Sequence, residues 1–205
     1  MITKNDPGLQ RCGWCGEDEL YQAYHDKEWG MPLFNDETLF EFVLLEGVQA
    51  GLSWITVLKR RENYRKVYDQ FNAEKIARYT PKKIEKLLLD PQIIRNRLKV
   101  HSAVKNAKAY LAMKDQGITL SDFLWDFVDG EPIINKWTRS NQVPATTPES
   151  ERMSKELKRK GFNFVGPTIT YALMQSAGMV NDHLVSCFRH DECNNYKNLS
   201  SAKRR

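Results

Sequence analysis

Apolar positions recur at helical spacing through most of the chain. Leu39, Phe40, Val43 and Leu44 share one face of a helix, and Asp36 stands before them as an acidic cap. The pattern breaks at Gly51-Leu52-Ser53. Ser53 then caps a second helix carrying Trp54, Ile55, Val57 and Leu58, and further helices are expected over 62–70 and 74–79. Thr80-Pro81 reads as a cap followed by proline at the first helical position, and Asp90-Pro91 ends that helix. A long helix runs to Gln116, where Gly117 stops it, and a short aromatic one covers Ser121 to Val128. Residues 130–148, with their Gly, Pro, Asn and Thr, read as the one extended loop, and Thr147-Pro148 opens a helix through Arg159. No segment shows a convincing period of two. The fold class is all-α.

A glycine-bounded hairpin follows at Lys158-Arg159-Lys160-Gly161-Phe162-Asn163-Phe164-Val165-Gly166-Pro167-Thr168. Its second helix begins with Pro167, so the amides around Gly166 and Thr168, at the positive end of the helix dipole, suit a phosphate. Three basic side chains stand just before it. The element resembles the helix-hairpin-helix of DNA repair proteins, which grips the nucleic-acid backbone without reading sequence. As a pattern it equally describes an ordinary αα-hairpin with a solvated basic end.

The chain has 205 residues, 41% of them hydrophobic, with no internal repeat, which suits a single domain over residues 1–193. The polar stretch from Asn194, ending Lys203-Arg204-Arg205, is expected to be a disordered tail. The sequence shows no basic, apolar leader and no apolar run near the roughly 18 residues of a membrane span, so a soluble, cytoplasmic protein is expected, away from membranes. A net charge of +5 permits a polyanionic partner without requiring one.

Four cysteines in a chain of this size do not make a disulfide framework. Cys12 and His25 near the start and His183 and Cys187 near the end instead look like two halves of one tetrahedral metal site, with His183-x3-Cys187 placed on one face of a helical turn. Cys15 makes a Cys12-x2-Cys15 pair and offers an alternative thiolate, and His190 and Cys193 add further competitors.

The segments R-C-G-W at 11–14, Y-H-D-K-E-W-G at 24–30, L-E-G-V-Q-A-G-L-S-W at 45–54, G-F-N-F-V-G-P-T-I at 161–169 and N-D-H-L-V-S-C at 181–187 occur in order and cover nearly the whole chain. Together they closely resemble the DNA-3-methyladenine glycosylase I family. The resemblance implies a monofunctional base-excision enzyme on an all-α helix-hairpin-helix scaffold. Its partner would be double-stranded DNA with alkylated bases, its product 3-methyladenine, and its state a monomer. It also implies one structural zinc ion, and among the candidate ligands it favours Cys12, His25, His183 and Cys187.

Under that resemblance Glu46 is the catalytic and base-reading carboxylate, while Tyr24 and Trp54 stack on or line the base site and Trp14 and Trp29 complete it. A cationic, N3-methylated base suits aromatic faces and a buried acid. Glu46 follows Phe42, Val43, Leu44 and Leu45, so burial raises its pKa unless a cation or donors meet it. Leu52, on a tight turn, is placed either to wedge into the gap left by an extruded base, with Gln49 assisting, or to pack inward. Lys158, Lys160, Gly161, Gly166 and Thr168 complete the DNA-binding set. Asp182 occupies roughly the region of the aspartate that other helix-hairpin-helix glycosylases carry, but it adjoins His183 and equally suits orienting a ligand. No lysine in the motifs stands out as an imine-forming nucleophile, so strand cleavage is not expected. A DNA-binding or zinc-stapled interaction module is the competing class. It would need neither Glu46 nor the aromatics.

Overall fold

The computed structural model describes residues 9–196. After a 3-10 turn at Gly13–Cys15 comes α1 (Glu19–Lys27), capped by the Asp18 carboxylate, which accepts from the Leu20 and Tyr21 amides at 3.1 Å. The second helix, α2 (Asp36–Gln49), is buried on every side from Leu39 to Val48. A helix buried all round lies at the centre of the fold. Its N-cap is Asn35 rather than the expected Asp36, with Asn35 Oδ1 accepting from the Thr38 amide at 2.9 Å. The Asp36 carboxylate is spent elsewhere in the chain, on the amides of Leu120 and Ser121 at 3.0 and 2.8 Å.

Short α3 (Trp54–Leu58) begins after Ser53, whose hydroxyl bonds Thr56 Oγ1 at 2.8 Å instead of a capping amide. The helix expected over 62–70 is α4 (Arg61–Val67), cut short by a left-handed turn at Asp69, Gln70 and Phe71 with φ of 51°, 57° and 55°. No glycine announces this turn. Buried Phe71 and a 2.6 Å hydrogen bond from Tyr79 Oη to Asp69 hold it. Next come α5 (Ala73–Ala77) and α6 (Pro81–Leu89), the latter capped by Thr80. The long α7 (Arg97–Asp115) stops at Gly117, where φ is +75°, and α8 (Leu120–Trp125) begins at Leu120, one residue before the expected start.

Residues 130–148 are not wholly irregular. They contain β1 (Ile133–Ile134), which pairs in parallel with β2 (Val180–Asn181), Ile133 opposite Val180, and a 3-10 turn at Ser140–Gln142. Two residues are too few to show an alternating pattern in sequence. Thr147 caps α9 (Pro148–Arg159), the hairpin follows, and α10 (Pro167–Ser176) returns beside it. The described chain closes with α11 (Phe188–Asn194), so Asn194 is helical, and its side chain accepts from Asn181 Nδ2 at 2.7 Å. The expected tail beyond it lies, from residue 197, outside the described residues. Helices α3, α7, α8 and α10 pack on α2, and α9 packs against α10. Among the described residues no helix is long and apolar enough to cross a membrane.

Candidate active site and metal centre

A cavity of about 300 Å³ opens beside the C-terminal half of α2, near the lower end of the range for small-molecule sites. Trp14, Tyr21, Tyr24, Trp29 and Trp54 form its aromatic walls, and Glu46 and Gln49 supply polar atoms. Trp14 comes from the first 3-10 turn, Tyr21 and Tyr24 from one face of α1, and Trp54 from the first turn of α3. The rings brace one another. Trp14 meets Tyr21 and Trp29 edge-on at 4.9 Å, and Tyr24 leans on Trp54 at 5.4 Å and 44°.

Helix α2 buries two carboxylates, and they differ in a decisive way. Glu41 is met by Arg61 Nε at 2.6 Å and Arg65 Nη2 at 2.8 Å. Glu46, 3% exposed, has no ion pair among the described residues, and its Oε2 has no hydrogen-bond partner among them. Burial pushes its pKa up to about 8, opposed only by the Ser176 hydroxyl, so the free protein holds Glu46 protonated at neutral pH. Trp14 Nε1, Trp54 Nε1 and Gln49 Oε1 are likewise buried without partners among the described residues. An apolar cavity edged by unsatisfied donors and acceptors is built for a polar, aromatic-sized ligand, because such atoms are rarely left unpaired in a finished core. Burial also raises the Tyr24 phenol well above its usual range, so it stays a neutral donor.

Cys12, His25, His183 and Cys187 are all buried, and one ligand atom from each lies within 4.8 Å of the others. Cys187 Sγ stands 3.4 Å from His25 Nε2 and 3.6 Å from His183 Nδ1, and Cys12 Sγ stands 3.6 Å from His183 Nδ1. A tetrahedral ion bound about 2.3 Å from sulfur and about 2.0 Å from nitrogen sets sulfur–nitrogen edges of about 3.5 Å, so the donor set fits. The remaining ring nitrogens are occupied in the way a ligated imidazole needs. His25 Nδ1 meets Asp26 Oδ1 at 2.8 Å, and His183 Nε2 meets the Trp29 carbonyl at 3.1 Å. Asp26 is in turn gripped by both arms of Arg11. A hydrogen bond from the Cys12 thiol, then His183 and His25, pushes the Cys187 pKa far down and raises that of Cys12 in return.

The local geometry corrects one expectation here. His183 and Cys187 do not share a helical turn. They flank an irregular turn closed by the Cys187 amide on Leu184 O at 2.8 Å, and Cys187 is the N-cap of α11. Cys15 is not part of the cluster, since its thiol points to Cys12 O at 3.1 Å. His190 bonds Asn135 O at 2.9 Å, and Cys193 points to Met31 Sδ at 3.7 Å. Asp182 does not orient a ligand either. One of its oxygens accepts from Asn135 Nδ2 and Trp137 Nε1, both at 2.7 Å, and the other from Tyr171 Oη at 2.6 Å and Gln175 Nε2 at 2.7 Å.

Outside the cavity, α2 ends in a type II turn. Ala50 has φ −43° and ψ 115°, Gly51 has φ +77°, and the Leu52 amide closes on Gln49 O at 2.6 Å. Leu52 leaves this turn 38% exposed. The hairpin turns at Gly161, with φ +98°, and at Phe164, with φ +57°. Lys158, Gly161 and Thr168 are exposed, Lys160 and Gly166 half-buried. Gly166 is the N-cap of α10, whose first turn carries no acidic residue and no side-chain cap. Its leading amides are left for a ligand.

Several wall residues carry little sequence signal. Tyr21 is absent from the expected site residues, and its one signal is its position three residues before Tyr24 on the same helical face. Ser140 and Val143 come from the loop and Ala172 and Gln175 from α10, and only the tertiary fold brings them to the cavity.

The methyladenine glycosylase family model matches residues 14–190. The DNA-3-methyladenine glycosylase of Haemophilus influenzae is 51% identical over 177 residues, covering 86% of this chain and 96% of that protein. DNA-3-methyladenine glycosylase 1 of Escherichia coli is 49% identical over 179 residues, covering 87% and 96%. A solved structure of 3-methyladenine DNA glycosylase I from Staphylococcus aureus, which addresses 3-methyladenine recognition, superposes with a TM-score of 0.84 at 33% identity, covering 88% and 96%.

Proposed function

The chain belongs to the methyladenine glycosylase family, and from that premise we propose how its residues carry out the excision of 3-methyladenine from alkylated DNA. It is a base-excision repair enzyme that hydrolyses an N-glycosidic bond. The observation that carries the residue-level reading is the Glu46 carboxyl, with no ion pair and with its Oε2 partnerless among the described residues, within an aromatic-walled cavity of base size.

N3-methylation makes adenine a cation and weakens its bond to deoxyribose, so binding and positioning supply most of what the reaction requires. The extruded base stacks among Tyr24, Trp54, Trp14 and Trp29. Glu46 releases its proton to solvent as the positive base arrives, and a buried ion pair replaces the neutral acid. Undamaged adenine is neutral and offers no such compensation, which gives the cavity a basis for selection. Bond cleavage sends the electron pair to the base, which leaves neutral. Water then adds to the sugar cation and loses a proton to solvent, leaving an abasic site and no nicked strand.

Leu52, with Gln49, fills the gap in the duplex and favours the extruded state. Lys158, Lys160 and the amides around Gly161, Gly166 and Thr168 hold the phosphate backbone. The ion held by Cys12, His25, His183 and Cys187 is zinc with a structural role, because the site is closed, buried and composed of two thiolates and two imidazoles. When bound, it supplies cohesion between the two ends of the fold.

The test is chromatographic analysis of bases released from methylated duplex DNA by the native protein and by Glu46→Gln, with a strand-nicking assay. Release of 3-methyladenine without nicking, reduced in the variant, supports the reading. Release undiminished by Glu46→Gln removes the role given to Glu46, and no release from folded protein that binds DNA points to a binding module.

A further inference from the structure

Lys99, near the start of α7, is 7% exposed, and its ammonium donates to Val48 O at 2.7 Å and Ala50 O at 2.6 Å. Those carbonyls belong to the end of α2, whose last turn holds no basic residue of its own. A positive charge there complements the helix dipole. Gly51 follows the C-cap with φ +77°, yet the Val48 and Ala50 carbonyls still take the Lys99 ammonium, although burying a charge is demanding. Lys99 adds a fixed anchor. Its two acceptors flank Gln49, and the second lies within the type II turn that delivers Leu52.

The same face of α7 grips the hairpin. Asn106, 1% exposed, donates to Asn163 O at 3.0 Å and accepts from the Asn163 amide at 2.7 Å. Seven residues separate Lys99 from Asn106, two helical turns and about 10 Å along the axis. Helix α2 also approaches the hairpin directly, since a Cβ at Gly47 would stand 3.2 Å from Phe164 Cβ.

We propose that Lys99 is a positioning residue for DNA engagement. It locks the Gln49–Leu52 turn to α7, which thereby fixes the separation between the Leu52 wedge and the phosphate-binding hairpin. The proposal rests on the reading of Leu52 as the wedge.

The experiment compares the native protein, Leu52→Ala, Lys99→Met, the double variant and Lys99→Arg. Three quantities are read: single-turnover base release from methylated duplex, affinity for a duplex carrying an abasic-site analogue, and tryptophan quenching by free 3-methyladenine. Lys99→Met is expected to weaken abasic-duplex binding and base release about tenfold, to leave free-base affinity within about twofold, and to add little to Leu52→Ala, the signature of two residues acting as one unit. Lys99→Arg, which keeps donors within reach of both carbonyls, recovers most of the loss. Should Lys99→Met not fold, Lys99→Gln and Lys99→Arg carry the same comparison. Native-like DNA binding by the variant, losses fully additive with Leu52→Ala, or an equal loss of free-base affinity each overturns the proposal. A silent Leu52→Ala in a protein that still releases base removes the wedge and the proposal with it. Absence of release by the native protein marks instead the failure of the glycosylase reading on which both stand.

Discussion

The main-chain carbonyl of Trp29, a wall of the cavity, meets His183 Nε2 at 3.1 Å, and the Trp29 ring stands edge-on to the same imidazole at 4.6 Å. The Trp14 ring stands edge-on to the other cluster imidazole, that of His25, at 5.3 Å. Two tryptophans thus belong at once to the cavity and to the shell of the Cys/His cluster. Whatever holds the cluster together also sets the spacing of the cavity walls.

Stripping the ion should therefore damage recognition as well as stability. Structural zinc in small sites contributes on the order of 10 kcal/mol, and loss of a supporting contact around such a site typically weakens its function about 10- to 100-fold. Prolonged chelation, or Cys187→Ser, is expected to lower the unfolding midpoint sharply and weaken 3-methyladenine binding by at least about tenfold. Metal content, thermal unfolding and tryptophan quenching by the free base, measured on one preparation, provide the check. A metal-free protein that binds the base as tightly as before would contradict the coupling.

Glu46 makes stability depend on pH in an unusual direction for a carboxyl. The unfolded chain ionises it near 4.5, whereas the folded protein keeps its proton up to about 8. Between those values the folded state binds more protons than the unfolded one, so this group lowers stability as pH rises and has no further effect above pH 8. The full difference amounts to about 5 kcal/mol at most. Glu46→Gln removes it. Urea midpoints should show the variant gaining on the native protein steadily from pH 5 to pH 8 while losing base release. A constant offset across that range would mean that Glu46 ionises normally.

The elements that are legible in the sequence carry their own punctuation. Thr80-Pro81, Thr147-Pro148 and Gly117 mark the limits of helices through local chemistry, and each stands where a helix begins or ends. Asp36 looks equally local but serves α8 across the fold, leaving Asn35 to cap α2. The left-handed turn after α4 and the pairing of β1 with β2 depend on partners remote in sequence, Tyr79 for the first and residues 180–181 for the second. At the cavity, Tyr24, Glu46 and Trp54 sit within one dense stretch of motif. Ser140 and Val143 reach it only because the loop is tied down elsewhere.

Trp54 should be the wall whose loss is felt most in base affinity. It lies nearly parallel to Phe42 at 14° and 6.4 Å, and Phe42 carries the Arg61 guanidinium 5.1 Å from its ring centre. The indole is thus held from behind while its other neighbour is Tyr24. Trp54→Ala is expected to weaken 3-methyladenine binding about 10- to 100-fold and to destabilise the fold by about 3 kcal/mol, whereas Trp54→Phe keeps a face and most of the affinity. Titration of the free base, paired with urea unfolding, separates the two effects. Equal affinities for all three proteins would take Trp54 out of the binding site.

Asp182 invites assignment as a general base because it borders the cavity near the end of α10, but its hydrogen bonds argue for another task. Both oxygens are taken, one by Asn135 and Trp137 and the other by Tyr171 and Gln175. Asn135 and Trp137 belong to the loop that brings Ser140 and Val143 to the cavity, so Asp182 ties this wall to α10. Asp182→Asn would turn an amide group toward two donors and leave them unpaired. The expected result is a stability loss of about 3 kcal/mol, a raised KM and a kcat within about tenfold of native. A base that abstracts a proton from water would show the reverse, with kcat reduced about 100- to 10,000-fold and substrate binding intact. Single-turnover rates at saturating and subsaturating DNA, taken with unfolding curves for the same variant, discriminate the two. Collapse of the saturating rate in a stable variant would make Asp182 part of the chemistry and return the loop to a secondary role.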